Sequence, residues 1–307
     1  MTIGQALNET AKRLKLAGIP DAGVEAEYFM THLLACRRHE LFLNGKRLLT
    51  ASEDSAIEEF IKRRLKREPI QYIIGSVEFH GLEFKVTRDV LIPRPETELL
   101  VDEAAKAALS YGQDAVVIDL CTGSGCIAIS LAAAAPNTTV YAIDISQAAL
   151  KVAQENGERL GMADRVKFIH GDLFAPLNAI SHPPLENGRG THAKRRGSGE
   201  FEAGAYIIVS NPPYISEEEY NRLQPEIRLF EPSSALVSGH DGLEFYRRII
   251  KDSPDYLSRN GLLMMEAGFG QADRIKAILE ADGRYEAFEA VKDLAGIERV
   301  VKARIKG

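Results

Sequence analysis

The feature that most restricts the fold is a regular alternation of short apolar runs with helix-length stretches between residues 116 and 209. Residues 116–120, 139–143, 166–169 and 206–209 are strand-length runs rich in β-branched side chains, and 127–135 and 147–160 between them have the length and pattern of helices. Strand–helix–strand succession builds a mainly parallel sheet, because each crossover must be covered by an intervening helix. Residues 262–265, 285–291 and 299–304 raise the expected number of strands to seven. The last two lie too close together for a helical crossover, so they are expected to pair antiparallel. The predicted class is α/β with a seven-stranded Rossmann-like sheet.

Residues 1–75 read differently, as a helical bundle. Ile3, Leu7, Ala11 and Leu14 recur at helical spacing; Asp21 is placed to cap a second helix carrying Ala26, Phe29, Met30, Leu33 and Leu34. Ser52 is placed to cap another through Ile57, Phe60, Ile61 and Leu65. The basic run Lys62, Arg63, Arg64, Lys66 and Arg67 on that helix reads first as a solvated face, with docking of an acidic partner as the alternative. Residues 71–92 change to short alternating strands around Gly75 and Gly81, a hairpin with His80 at its tip; a lone turn histidine is assigned no role. The expected organisation is a helical domain over 1–75, a hairpin linker over 76–92 and the sheet domain over 93–307. Within the last, 178–204 is polar, basic and turn-rich without periodicity, and reads as a flexible surface insertion. Its His182 and His192 lack metal-ligand spacing.

The chain has 307 residues, 45% hydrophobic and 27% charged, with a net charge of −6, which argues against tight sequence-independent binding to nucleic acid. Cys36, Cys121 and Cys126 suggest neither a disulfide framework nor a zinc site. No signal pattern opens the chain, and no apolar run approaches the ~18 residues needed to cross a bilayer. A cytoplasmic monomer is expected.

Three places carry chemistry. Asp119-Leu120-Cys121-Thr122-Gly123-Ser124-Gly125 joins the first strand to a helix, where glycines permit a tight turn and close approach of backbone amides to a ligand. Gly123, Gly125 and Ala128 also satisfy a dinucleotide fingerprint, so a dehydrogenase stands as one reading and a ligand-free turn as another. Asp144 ends the second strand, placed to accept from ribose hydroxyls, and Asp172 follows the third, placed to accept from an adenine amine. Together they suit an adenosine with an amino-acid tail, as in S-adenosylmethionine, better than a pyrophosphate. Finally, the apolar run 206–209 gives way to Asn211-Pro212-Pro213-Tyr214. The prolines end the strand, so this tetrapeptide projects from a strand's carboxyl end, where open α/β sheets bind ligands. Read blandly, it is a turn with a surface tyrosine.

The strand leading into Asn-Pro-Pro-aromatic resembles the active-site motif of methyltransferases acting on planar nitrogens. Glu68-Pro69-Ile70-Gln71-Tyr72-Ile73-Ile74-Gly75, Pro93-Arg94-Pro95-Glu96-Thr97-Glu98, the Thr122–Gly125 loop, Phe230-Glu231-Pro232 and Asp241-Gly242-Leu243 complete a resemblance to the bacterial release factor glutamine methyltransferases, the HemK/PrmC family. It departs at Cys121, where many relatives carry glycine, and in the long 178–204 insertion. The resemblance implies methyl transfer from S-adenosylmethionine to the glutamine of the Gly-Gly-Gln loop in class I peptide chain release factors. It also implies cofactor contacts from Cys121, Thr122, Gly123, Ser124, Gly125, Asp144, Asp172, Leu173 and Asn211. Substrate contacts would come from Asn211, Pro212, Pro213 and Tyr214, with Asn211, Pro212 and Tyr214 catalytic. No metal, membrane or stable nucleic-acid partner is implied. The rivals are an N-methyltransferase for exocyclic amines of DNA or RNA and a non-catalytic cofactor-binding adaptor.

Overall fold

A computed structural model describes residues 1–111, 115–179 and 204–307, which leaves most of the expected insertion, with His182 and His192, outside the described residues. The chain divides into two compact units, one formed by Met1–Ser76 with Leu223–Glu231, the other by Val77–Arg222 with Pro232–Gly307.

The first unit contains α1 (Ile3–Leu16), α2 (Ala22–Leu33), α3 (Arg38–Leu43), α4 (Ala51–Arg64) and α5 (Ile70–Ile74), together with a short helix over Pro225–Phe230. The buried stripe of α1 is Ile3, Ala6, Thr10 and Leu14; Leu7 and Ala11 flank it half-buried, a small rotation from the face expected. Phe29 of α2 stacks on Phe60 of α4 with ring centroids 3.9 Å apart. Removing a side chain of that size from water contributes about 1.5–3 kcal/mol. Two expected caps are corrected. Asp21 occupies the cap position of α2 in a left-handed conformation (φ 51°), and its side chain makes no capping bond. α4 is capped by Thr50 rather than Ser52: Thr50 Oγ1 accepts from Glu53 N, and the Glu53 carboxylate accepts from Thr50 N at 2.8 Å. That reciprocal pair satisfies two otherwise orphaned amides.

The basic run at the end of α4 is also not a solvated face. Arg64, with a side chain only 4% exposed, donates to Glu25 at 2.6 Å and to Glu226 at 3.0 Å. Arg63 is held by Glu68, and Arg67 also reaches Glu226. Lys62 and Lys66 alone of the five are exposed.

A two-stranded sheet, β1 (Ser76–Phe79) and β2 (Leu82–Lys85), follows, all but Ser76 of it in the second unit; α5 precedes it, where strand is expected from residue 71. His80 (φ 51°) and Gly81 (φ 72°) form its turn, the pair of positive φ values that matches the twist of a tight hairpin. The His80 amide donates to Glu98 at 2.8 Å, and its ring lies 3.0 Å from Asp102, so the residue is structural.

The main elements follow as α6 (Glu98–Tyr111), β3 (Ala115–Leu120), α7 (Cys126–Ala134), β4 (Thr138–Asp144), α8 (Gln147–Arg159), β5 (Val166–His170) and β6 (Ala205–Ser210). After them come α9 (Glu217–Tyr220), α10 (the Pro225–Phe230 helix of the first unit), α11 (Glu244–Asp252), β7 (Leu257–Glu266), α12 (Ala272–Asp282), β8 (Tyr285–Lys292) and β9 (Glu298–Ile305). The seven-stranded sheet runs β5-β4-β3-β6-β7-β9-β8, parallel as far as β7, with β9 antiparallel to both its neighbours as expected. Successive residues of β3 enter different cores. Val117 packs with Leu100, Val101 and Ile127 on one face, Ile118 with Tyr246, Ile249 and Ile275 on the other. A sheet apolar on both faces requires helices on both, which explains why its strands read as unbroken apolar runs. The chain moves outward from β3 to β5 and then returns to β6 on the other side of β3. The carboxyl ends of β3 and β6 therefore flank a topological switch point, where such sheets bind ligands. Among the described residues no helix is long and apolar enough to cross a membrane, and no cluster of metal-ligating side chains is found.

Candidate active site

Strand register brings the predicted residues together. Leu120 of β3 lies beside Ser210 of β6 on one side and Ile143 of β4 on the other. Ser210 Oγ donates to Leu120 O at 2.8 Å, and Thr122 N donates to Ile143 O at 3.0 Å. Cys121, Asp144 and Asn211, each one residue further on, thus leave adjacent strands at the same level.

The loop after β3 needs positive φ at Cys121 (61°), Gly123 (56°) and Gly125 (80°). The two glycines serve different ends. A Cβ on Gly125 would lie 3.0 Å from Ile129 and 3.1 Å from Ala153, so glycine here allows α7 and α8 to pack closely. A Cβ on Gly123 would meet nothing within 4 Å, so that turn faces open space. Thr122 and Ser124 are buried, and Asn156 Nδ2 holds the Ser124 carbonyl at 3.0 Å.

Asp144 is half-buried. Its Oδ2 accepts from Gly123 N and its Oδ1 from Ser146 N, both at 2.8 Å. Each oxygen retains a lone pair for a hydroxyl donor. Burial raises its pKa, and the two amide bonds oppose that shift. Asp119, wholly buried beneath the loop, accepts from Thr122 Oγ1 at 2.6 Å, and burial pushes its pKa up to about 7. Beyond β5, Asp172 is half-exposed and ion-paired with Arg248 at 2.6 Å, a partner that sequence reasoning did not supply. Leu173 is buried in a left-handed conformation (φ 49°).

On the other side of β3, Asn211 projects from β6 with Pro212 and Pro213 buried behind it. Asn211 Nδ2 donates to Thr97 Oγ1 at 3.2 Å, and Thr97 Oγ1 donates to Glu266 Oε2 at 2.6 Å. The Tyr214 carbonyl accepts from Gln271 Nε2 at 2.9 Å. A Cβ on Gly268 would stand 2.9 Å from the Tyr214 ring, and one on Gly242 would stand 2.5 Å from its carbonyl oxygen. Those contacts give the Asp241-Gly242-Leu243 motif a physical reason: only glycine lets that loop reach the Tyr214 backbone. Burial, reinforced by Glu266, raises the Tyr214 phenol pKa.

Sequence reasoning placed Thr97 only within the Pro93–Glu98 motif and gave it no role of its own, and it missed Gly268, Gln271 and above all Glu266. The available signal for Glu266 was the one used for Asp144, an acid at the end of an apolar strand.

A parallel sheet closed by an antiparallel hairpin, with a glycine turn after its first strand, an acid after its second and Asn-Pro-Pro-Tyr after its fourth, defines a methyltransferase domain. Residues 112–182 match a family model described as a methyltransferase domain, and residues 5–75 match one described as the PrmC N-terminal domain. The release factor glutamine methyltransferase of Geobacter sulfurreducens is 40% identical over 304 residues, covering 99% of this chain and 97% of that protein. Its counterpart in Thermodesulfovibrio yellowstonii is 38% identical over 278 residues, 90% of each chain. Among solved structures, the hMettl16 catalytic domain in complex with a 3'UTR hairpin superposes with a TM-score of 0.52 at 17% identity, over 86% of this chain and 84% of that one, a likeness of fold alone. The chain belongs to the release factor glutamine methyltransferase family.

Proposed function

We propose that the protein transfers a methyl group from S-adenosyl-L-methionine to the side-chain amide nitrogen of the glutamine in the Gly-Gly-Gln motif of class I peptide chain release factors. The observation that carries this reading is the Asn211 carboxamide. Its nitrogen end is tied to Thr97, which leaves the oxygen end to accept from a substrate, on the sheet edge that also carries Gly123 and Asp144. Names of relatives along nearly the whole chain support the substrate.

The residues present suit the cofactor. The turn at Gly123 faces open space, and both Asp144 oxygens keep acceptor capacity for a ribose. In this reading Thr122, Ser124, Gly125, Cys121, Asp172 and Leu173 line the rest of that pocket. Bound there, the cofactor supplies a methyl already activated on a sulfonium.

The protein's own task is alignment, because an amide lone pair is delocalised and nucleophilic only when held in place. Asn211 Oδ1 and the Pro212 carbonyl accept the two amide N–H bonds, which favours positive charge developing on nitrogen. Tyr214 packs on the flat amide, and Pro212 and Pro213 keep the carbonyl rigid. Fixing nitrogen at a near-attack distance is worth ~7–11 kcal/mol in favourable cases. One of the two held protons passes to solvent water as the methylated amide returns to neutrality. The helical first unit, residues 1–75 above all, serves release-factor recognition in this scheme, and the protein acts as a monomer in the cytoplasm.

The test is mass spectrometry of a release factor incubated with the protein and S-adenosylmethionine. A gain of one methyl, confined to the Gly-Gly-Gln peptide, is expected. Asn211→Ala should lower turnover ~10²–10³-fold while calorimetry finds cofactor affinity little changed. A DNA or RNA oligomer that accepts methyl faster than the release factor overturns the reading in favour of base methylation.

A further inference from the structure

Asn211 has two ends of similar size and opposite chemistry. Turned one way the amide presents an oxygen acceptor; turned the other way it presents donors that would repel the N–H bonds of a substrate amide. Nothing in Asn-Pro-Pro-Tyr itself selects between them.

Three separate elements converge on that choice. Thr97 comes from the turn before α6, Glu266 from the end of β7 and Asn211 from the end of β6. Thr97 and Glu266 are each only 2% exposed, so water does not compete for their bonds. Threonine has a single hydroxyl proton. Thr97 gives it to Glu266 Oε2 at 2.6 Å, and toward Asn211 its oxygen then acts only as an acceptor. The Asn211 group facing it is accordingly Nδ2, at 3.2 Å.

We propose that Thr97 and Glu266 are positioning residues that set the polarity of the Asn211 amide, so that a carboxylate at 266, acting through one hydroxyl, turns Oδ1 toward the substrate. The proposal rests on the function assigned above. It gives the Thr97 of Pro-Arg-Pro-Glu-Thr-Glu a chemical reason to be a hydroxyl residue.

The relay has a direction only while Glu266 is ionised. A protonated Glu266 can donate to Thr97, whose own proton is then free for Asn211 Oδ1, and the amide can invert. Burial holds the Glu266 carboxyl up at about 7, against the Thr97 hydrogen bond and the charges of Arg299 and Arg94, with Glu96 adding to the rise. Tyr246 donates to the Glu266 backbone carbonyl at 2.8 Å, and Arg299 is itself shared with Asp293 at 3.1 Å and Glu96 at 3.9 Å. Proton binding to Glu266 therefore produces an acid limb in turnover. Asp119, also near 7, lies below the cofactor loop and is hydrogen-bonded to Thr122 instead.

The experiment measures kcat and KM for a release factor across pH 5.5–9, together with the 15N side-chain amide resonance of Asn211 in the cofactor-bound enzyme. Thr97→Val should cut kcat ~10–100-fold, as loss of alignment does, with KM and cofactor affinity little changed, and Thr97→Ser should restore most of it. Glu266→Gln should flatten the acid limb, and the Asn211 resonance should titrate with that limb in wild type but not in Glu266→Gln. Wild-type kcat and pH profile in Thr97→Val overturn the proposal; so does an acid limb unchanged in Glu266→Gln, which would also decide the matter should Thr97→Val fail to fold. A wild-type enzyme that transfers nothing to a release factor refutes the assigned substrate instead. The Asn211 resonance, which needs no turnover, then judges the relay alone: an amide signal insensitive to Glu266 ionisation overturns it.

Discussion

Carboxylates in the helical unit and at the edge of the sheet that carries the candidate site are buried in different company. In the helical unit, Glu25 and Glu226 share the guanidinium of Arg64, and the buried Glu68 accepts from both Nε and Nη2 along one edge of Arg63. At the sheet edge, Asp119 and Glu266 are each hydrogen-bonded to a threonine hydroxyl at 2.6 Å, Thr122 for one and Thr97 for the other. A guanidinium's planar fork fixes the geometry of the carboxylates it pairs with. A hydroxyl leaves its ionisation balanced against burial, which is why both acids sit near neutrality. The difference separates charge used to hold helices together from charge kept adjustable at the candidate site.

The strongest way to break that comparison is to remove the guanidinium. Arg64→Ala leaves Glu25 and Glu226 partly buried without their shared cation, and stability measured by urea unfolding should fall by about 3 kcal/mol. Arg64→Lys should recover only part of this, since an ammonium cannot replace a planar fork reaching two carboxylates. A loss below about 1 kcal/mol would reduce the cluster to an ordinary surface bridge.

A smaller effect tests the other side. The Asp119 carboxyl has its ordinary value of 3.8 in the unfolded chain and about 7 in the folded one, so between those values the native state binds more protons. Its contribution to stability is therefore complete below pH ~4 and is lost as pH rises through ~7. Asp119→Asn has no charge to bury. It should match wild type near pH 4 and exceed it by roughly 2 kcal/mol at pH 8, about half the ceiling that such a shift permits. Glu53 of the helical unit sharpens the contrast because its carboxyl is held low, first by Arg47 and then by the Thr50 amide. Its stabilisation is present above the unfolded value and lost as pH falls through the folded one, the reverse slope. Equal slopes for Asp119→Asn and Glu53→Gln would end the distinction.

What could be read from the chain follows from the range of the forces involved. The apolar strands, the alternation of β and α and the closing hairpin are local patterns, and from β3 onward the expected strands and helices fall within a few residues of their places. Cap choice failed where two good cap residues lay close together: Glu53, three residues after Thr50, was the signal that favoured Thr50 over Ser52. α3 escaped because its six residues bury only Leu41. Arg64 was misread because its partner Glu226 lies 162 residues away, and no local pattern announces such a pairing. At the candidate site, Asn211, Gly123 and Asp144 were visible because each lies at or just past the end of a strand, where the chemistry changes abruptly. Glu266 ends one too, yet its partner Thr97 comes from a turn 169 residues earlier in the chain, a pairing only the fold supplies. Arg248 beside Asp172 was equally out of reach of sequence.

The smallest effect concerns backbone rather than charge, and again the two regions should answer differently. Cys121 in the site loop and Arg67 after α4 both hold a left-handed conformation, at φ 61° and 69°. In an L-residue that geometry costs roughly 1–2 kcal/mol, which glycine avoids at an entropic cost of roughly 0.5–1. Cys121→Gly should therefore gain about 0.5–1 kcal/mol in denaturant unfolding. Cys121→Ala, which keeps the Cβ, should gain nothing; if it gains as much, the sulfur and not the backbone is the source. Arg67→Gly relieves the same strain but surrenders the bond to Glu226 at 3.0 Å and that to the Gly18 carbonyl at 3.1 Å, so no net gain is expected there. A gain in both variants would mean that the arginine contributes no more to its unit than the cysteine does to the loop, and the division between structural and adjustable charge would lose its second support.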